Sequence, residues 1–231
     1  MLKVFNFYNE HDDLEDILKD IYDKEFFDFL ENMVEFSISN GFKYFVPVLK
    51  VYNAVFAIDN DDPLVELYYS YKNAFFRLFE LIGTKLGKDT TRHLIVLLAN
   101  VGYSDKDVMH ELIDRGYFFK LTEMLKSQSD NVSDVMYALG RMYDLADQDH
   151  SLKVFNRDPE FVHVLFTAMR SDMVPEDSRV AFCIVNFLLS ANEDNQPFVD
   201  EIKSSETYRV LVEENALKNN GQHIQTIESE I

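Results

Sequence analysis

The sequence predicts an all-α protein built from stacked helical repeats, and three observations carry that prediction. Apolar residues recur at i, i+3, i+4 and i+7 almost everywhere, the spacing of a helix with one buried stripe. Alternating β patterns and Asn-Gly hairpin signals between apolar runs are missing, and Asn40-Gly41 separates two helical stripes instead. The same order of helical parts also returns with a period of about forty-odd residues.

In chain order, the first stripe is Leu14, Ile17, Leu18 and Ile21, predicting a short helix over Asp12–Tyr22 with Glu25–Phe36 as its packing partner. A first full copy of the repeat begins at Val46 (VPVLKVYNAVFAIDNDDPLVELYYSYKNAFFRLFELIGT). Further copies begin at Arg92, Ser133 and Val180. In each, an apolar helix of about 12–16 residues ends in an acidic turn (SDKD, ADQD or NEDN), a short helix follows, then a break, then a third helix. Stops and starts agree with this order. Pro63, Pro159, Pro175 and Pro197 each precede an apolar run, where a first-turn proline sacrifices no hydrogen bond. Asp105 fits an N-cap before Val108, Met109, Leu112 and Ile113, and Gly116 fits a helix stop. Leu98, Leu139 and Val185 fall on the buried stripe of the long helices.

Composition sets the class. The 231 residues are 47% hydrophobic and 14% aromatic with 7 Gly and 5 Pro, which excludes a disordered or collagen-like chain. Lys and Arg number 22 against 41 Asp and Glu, a net charge of −19 that repels phosphate backbones and anionic lipid. Nucleic acid and membranes are therefore not expected partners. The acid is concentrated at the two ends, where it suits either a docking surface or the solubility of a sticky rod. The lone Cys183 allows no internal disulfide, the N-terminus lacks the apolar stretch of a signal peptide, and no window is apolar enough to span a bilayer. A cytoplasmic protein is expected, with the nucleus as an alternative.

This pattern resembles the armadillo repeat family over about residues 11–218. The segments DRGYFFKLTEML and ALGRMYDLA match the family's two consensus helices most closely, and the extra short helix favours armadillo over the related two-helix HEAT repeat. The resemblance implies a right-handed superhelical solenoid of about four to five three-helix repeats with third helices lining a concave groove. The implied division is an N-terminal cap (1–36), central repeats (41–193) and a C-terminal cap (194–218), together one repeat domain over 1–218. A flexible tail (219–231) follows.

The family's groove asparagine, which bonds the backbone of an extended peptide, falls on Asn53, Asn100 and Asn186, with Arg141 in its place in one repeat. The flanking tryptophan positions hold Leu49, Val96, Tyr137 and Phe182, and the chain has no Trp. His93, Asp134 and Arg179 lie one turn earlier and are also expected to face the groove. An alternative role for the asparagines is to bond neighbouring backbone within the superhelix. Mixed charges favour a partner peptide or helix with both signs, although a basic peptide is also considered.

Catalytic chemistry finds little support. His11, His93, His110, His150, His163 and His223 are scattered without metal-binding spacing, and Cys183 sits mid-stripe as a buried thiol. No glycine-rich phosphate loop occurs, and the acidic turn Asp59–Asp62 lacks calcium-loop spacing. Adjacent aromatics such as Phe75-Phe76 and Phe118-Phe119 are expected to place one member of each pair near the surface, and Tyr68, Tyr69 and Tyr71 could form an exposed patch, although core packing is favoured. The expectation is a non-enzymatic interaction scaffold without cofactor or metal, its oligomeric state open. An armadillo-type Hsp70 nucleotide exchange factor is the first alternative and an enzyme with an unrecognised site the second.

Overall fold

The computed structural model describes residues 24–57, 62–127, 130–156, 160–170, 175–210 and 212–213. Every regular element among them is an α-helix. The expected helix Asp12–Tyr22, the tail 219–231 and most of the acidic turn before Asp62 lie outside the described residues. No helix among them is long and apolar enough to cross a membrane.

The helices are α1 (Lys24–Ser39), α2 (Phe45–Phe56), α3 (Asp62–Glu80), α4 (Lys88–Tyr103), α5 (Lys106–Asp114) and α6 (Tyr117–Lys126). They continue with α7 (Val132–Leu145), α8 (Gln148–Phe155), α9 (Phe161–Arg170), α10 (Pro175–Ala191) and α11 (Gln196–Ser204). Helical backbone resumes over 206–210.

Packing follows the period of the sequence. The long helices α2, α4, α7 and α10 lie each against the next. Short helices α5 and α8 touch, and so do α6 and α9. From α4 onward, elements three apart in the chain thus become neighbours in space, whereas α2 meets α4 two elements on. A single helix with one apolar stripe cannot bury it alone, and each neighbour supplies the missing wall. Leu98, Leu139 and Val185 are fully buried in those walls, as their register predicts.

Local chemistry fixes the breaks. The Asp105 carboxylate accepts from the Asp107 and Val108 amides at 2.8 and 3.2 Å, capping α5. Gly116 ends α5 at φ +84°, a left-handed conformation in which other residues are strained. Between α1 and α2 the chain turns through Gly41 and Phe42, at φ 68° and 64°.

Glycine also sets two close approaches. A Cβ at Gly140 would lie 3.2 Å from both γ carbons of Val180, so α10 sits directly against the backbone of α7. A Cβ at Gly102 would lie 3.0 Å from the Met109 Cε, which presses α5 onto α4.

Two expectations need correction. The copy that begins at Val46 does not split into short and third helices. Its second part is the continuous 19-residue α3. No glycine or proline interrupts Leu64–Glu80, so nothing breaks the hydrogen-bond ladder where Gly116 breaks the later copy. At one adjacent aromatic pair both members turn inward, Phe75 and Phe76 being 1% and 9% exposed, whereas Phe26, Tyr69 and Phe119 stay nearer the surface than Phe27, Tyr68 and Phe118, as expected. A helix walled on two sides needs apolar cover on both. Phe75 meets Tyr52 and Phe56 of α2 at 5.5 and 5.3 Å between ring centres, whereas Phe76 stacks on Tyr117 of α6 at 6.1 Å.

Candidate functional site

The expected residues lie on the four long helices, and hydrogen bonds join α2 to α4, α4 to α7, and α10 to the helical segment 206–210. Asn53 on α2 donates through Nδ2 to the His93 carbonyl on α4 at 2.9 Å, while its Oδ1 is buried without a partner. The Tyr137 hydroxyl on α7 donates to Asn100 Oδ1 on α4 at 2.9 Å. The Tyr208 hydroxyl donates to Asn186 Oδ1 on α10 at 3.1 Å. Each asparagine is thus engaged by a neighbouring helix, the role the sequence offers as an alternative to peptide binding. Asn100 accepts with its oxygen, and its Nδ2 remains a donor for other company.

The remaining expected residues divide into cover and contact. Phe182 stacks on Tyr208 at 6.4 Å and is half-buried, and Val96 is half-buried as well. Asp134 accepts from Asn131 Nδ2 at 3.1 Å and pairs with Arg92 Nε at 3.3 Å. Arg179 is exposed. His93 is held below its ordinary pKa by burial and by Lys50 and Arg92 nearby, with Asp89 and Asp134 pulling the other way. Those opposed influences place Lys50, Arg92 and His93 in one cluster where α2 meets α4.

A further group lies at the α4–α7 junction. The Arg141 guanidinium sits 4.0 Å from the Tyr103 ring centre and 5.4 Å from that of Tyr137. Both tyrosines are 37% exposed. Burial works against the Arg141 charge, yet the Tyr137 and Tyr103 hydroxyls more than offset it and its pKa rises. A guanidinium so placed keeps its charge and its fork of donors while two aromatic rings fix its plane. Sequence reasoning names Asn100, Tyr137 and Arg141 but misses Tyr103. Three residues beyond Asn100 on the same helix, it shares the Asn100 face by helical spacing.

The sequence also misses a histidine pair on another side. His110 of α5 and His150 of α8 stack with ring centres 3.7 Å apart and planes within 3°. Asp147 caps α8, accepting from the His150 amide at 2.9 Å and contacting His150 Nδ1 at 2.8 Å. Its own amide donates to His110 Nε2 at 3.3 Å. Ligand atoms of His110, Asp147 and His150 fall within 4.8 Å of one another, so the expectation of scattered histidines fails here. Parallel rings aim their lone pairs in parallel planes, however, and cannot both meet one ion at about 2.1 Å without fanning apart. In this geometry the group is a polar clasp between consecutive short helices.

The clasp has a pH signature. The His110 pKa is lowered by burial and by His150 beside it. A base with a depressed folded pKa binds fewer protons folded than unfolded, so its stabilising effect is present above the unfolded value of about 6.5 and fades as pH falls through it. Asp147, held at about 2 by the His150 amide and ring, and the lowered Asp114 act with the same sign in a lower window, their effect being lost as pH falls from the unfolded carboxylate value of about 4 toward the folded one. The melting temperature should therefore drop between pH 7 and 5, and His110→Gln should flatten that drop, His93 accounting for part of what is left. Equal slopes in wild type and variant would refute the assignment.

A shallow depression of about 430 Å³ between α5, α6 and α8 is floored by Ile113, Phe119 and Leu152 and crossed by the Lys153–Asp114 ion pair at 2.9 Å. Tyr68 is buried with its hydroxyl on Glu111 at 3.0 Å, and Tyr71 bonds Asp28 at 2.8 Å, so of that trio only Tyr69 is exposed. Cys183 is half-buried rather than fully buried.

Comparison of the chain with models of known families, with curated proteins and with solved structures finds no match, so none of them supports the armadillo resemblance.

Proposed function

We propose that this chain is a non-enzymatic scaffold of armadillo-type repeats that binds a segment of another protein across the face of its long helices. The repeat reading is supported by packing between elements three apart in the chain, α4 on α7 on α10, with α5 on α8 and α6 on α9 alongside. It extends to a unit of two helices, α2 and α3, at the N-terminal side. The single observation that carries the binding reading is the pair of exposed tyrosines, Tyr103 and Tyr137, gripping Arg141 at the centre of that face. Tyr and Arg are the side chains in which binding energy concentrates, because they combine large contact area with directional donors.

The test is affinity purification of the full chain from its native cell beside a Tyr137→Ala/Arg141→Glu variant. A bound protein should be lost at least about tenfold in the variant, equivalent to about 1.4 kcal/mol. The helical signal and melting temperature should change little, since both side chains reach solvent. Normal retention would exclude this face and move attention to the acidic N-terminal end. Unfolding would make both residues structural.

A further inference from the structure

We infer that the partner segment is acidic, with one of its carboxylates seated on Arg141 between Tyr103 and Tyr137. The inference rests on the long-helix face being the recognition surface and adds the chemistry of what it takes.

Charge complementarity carries it. The whole chain has a net charge of −19, yet Lys50, Arg92, Arg141 and Arg179 follow one another along α2, α4, α7 and α10. His93 lies beside Lys50 and Arg92, with Asp89 and Asp134 set against it. Of the four cations, Arg92 is neutralised by Asp134 at 3.3 Å. Lys50, Arg141 and Arg179 form no ion pair among the described residues, whereas Arg77 on α3 holds both Glu31 and Glu35 of α1. In a chain with so many carboxylates, a half-buried guanidinium left for two tyrosines has donors to spare. A carboxylate fits the fork of such a guanidinium in two parallel hydrogen bonds. The free Nδ2 of Asn100, whose oxygen already accepts from Tyr137, adds a donor beside it suited to a backbone carbonyl.

The spacing suits an extended segment. Four helices at about 8–10 Å between axes span about 30 Å, which about nine residues of extended chain cover at about 3.4 Å each. Acidic side chains near both ends and the middle would meet Lys50, Arg141 and Arg179, and an aromatic or aliphatic residue between them would lie on Tyr137.

The experiment is selection of a displayed library of random peptides of about 12 residues on the wild-type full chain and, in parallel, on Tyr103→Ala/Tyr137→Ala. The strongest peptide is then synthesised and titrated by fluorescence anisotropy against wild type and Arg141→Gln. Expected are net-acidic peptides enriched on wild type over the tyrosine variant. The synthetic peptide should bind at least about tenfold more weakly to Arg141→Gln, and a copy with Lys at every acidic position should not bind. Circular dichroism and melting of each variant confirm that the fold is intact. Basic or uncharged peptides that depend on the tyrosines would overturn the acidic partner and leave the face as the recognition surface. Peptides indifferent to the tyrosines, or no enrichment at all, would overturn both. Self-association of the wild type that Arg141→Glu abolishes would assign the face to a second copy and overturn the inference as well.

Discussion

Leu139→Asp should remove a large share of the native state's stability. Leu139 is fully buried on α7, the helix packed between α4 and α10, and the substitution places an unpaired carboxylate where no solvent or cation reaches. Such a charge costs at least about 4 kcal/mol after it neutralises by protonation, a large share of the stability of a domain this size. Urea denaturation followed by circular dichroism measures it directly. Tyr137→Ala, two residues away, is the control, because its side chain reaches solvent. If Leu139→Asp unfolds with the wild-type midpoint, α7 turns a different face to its neighbours.

The second large effect belongs to Phe75. Its ring is 1% exposed and is enclosed by Tyr52, Phe56, Tyr68 and Phe79, with ring centres 5.3–6.1 Å away. Phe75→Ala should destabilise by about 3–5 kcal/mol, since it removes both the transfer energy of a benzyl group and the contacts of every ring around the void. Phe75→Leu should cost distinctly less because it refills most of the volume. A chemical melt in which the two variants match would mean that the cluster collapses freely into the gap.

Most of the helical plan was legible because it rests on periodicity and punctuation. The stripe containing Leu98, Leu139 and Val185, the cap at Asp105 and the stop at Gly116 each depend on a few neighbouring residues, and each appears where expected. The continuous α3 was less visible. A repeat register aligns α3 with a short helix, a break and a third helix, yet the missing punctuation over Leu64–Glu80 decides the outcome locally. The paired burial of Phe75 and Phe76 depends on how many walls surround a helix, which no window along the chain contains.

The candidate site was legible in part. Asn100, Tyr137 and Arg141 come from the register of the repeats, and the structure brings these three together with Tyr103. The internal engagement of Asn53 depends on a backbone carbonyl 40 residues away, and that of Asn186 on the Tyr208 side chain 22 residues away. The stacked histidines carry a signal in their spacing. His110 and His150 are separated by nearly one repeat period, so the stacking that makes neighbours of α5 and α8 also brings their rings together.

The contact between Gly140 and Val180 has a consequence for descent. With γ carbons of Val180 only 3.2 Å from where a Cβ would stand, the two positions share one fixed allotment of volume. An alanine at 140 would need Val180 to give way by a few tenths of an ångström, and a smaller residue at 180 would relieve that contact. In chains sharing this ancestry the two positions should vary as a coupled pair rather than singly. A laboratory counterpart is Gly140→Ala rescued by Val180→Ala, the double variant approaching wild-type stability more closely than Gly140→Ala alone.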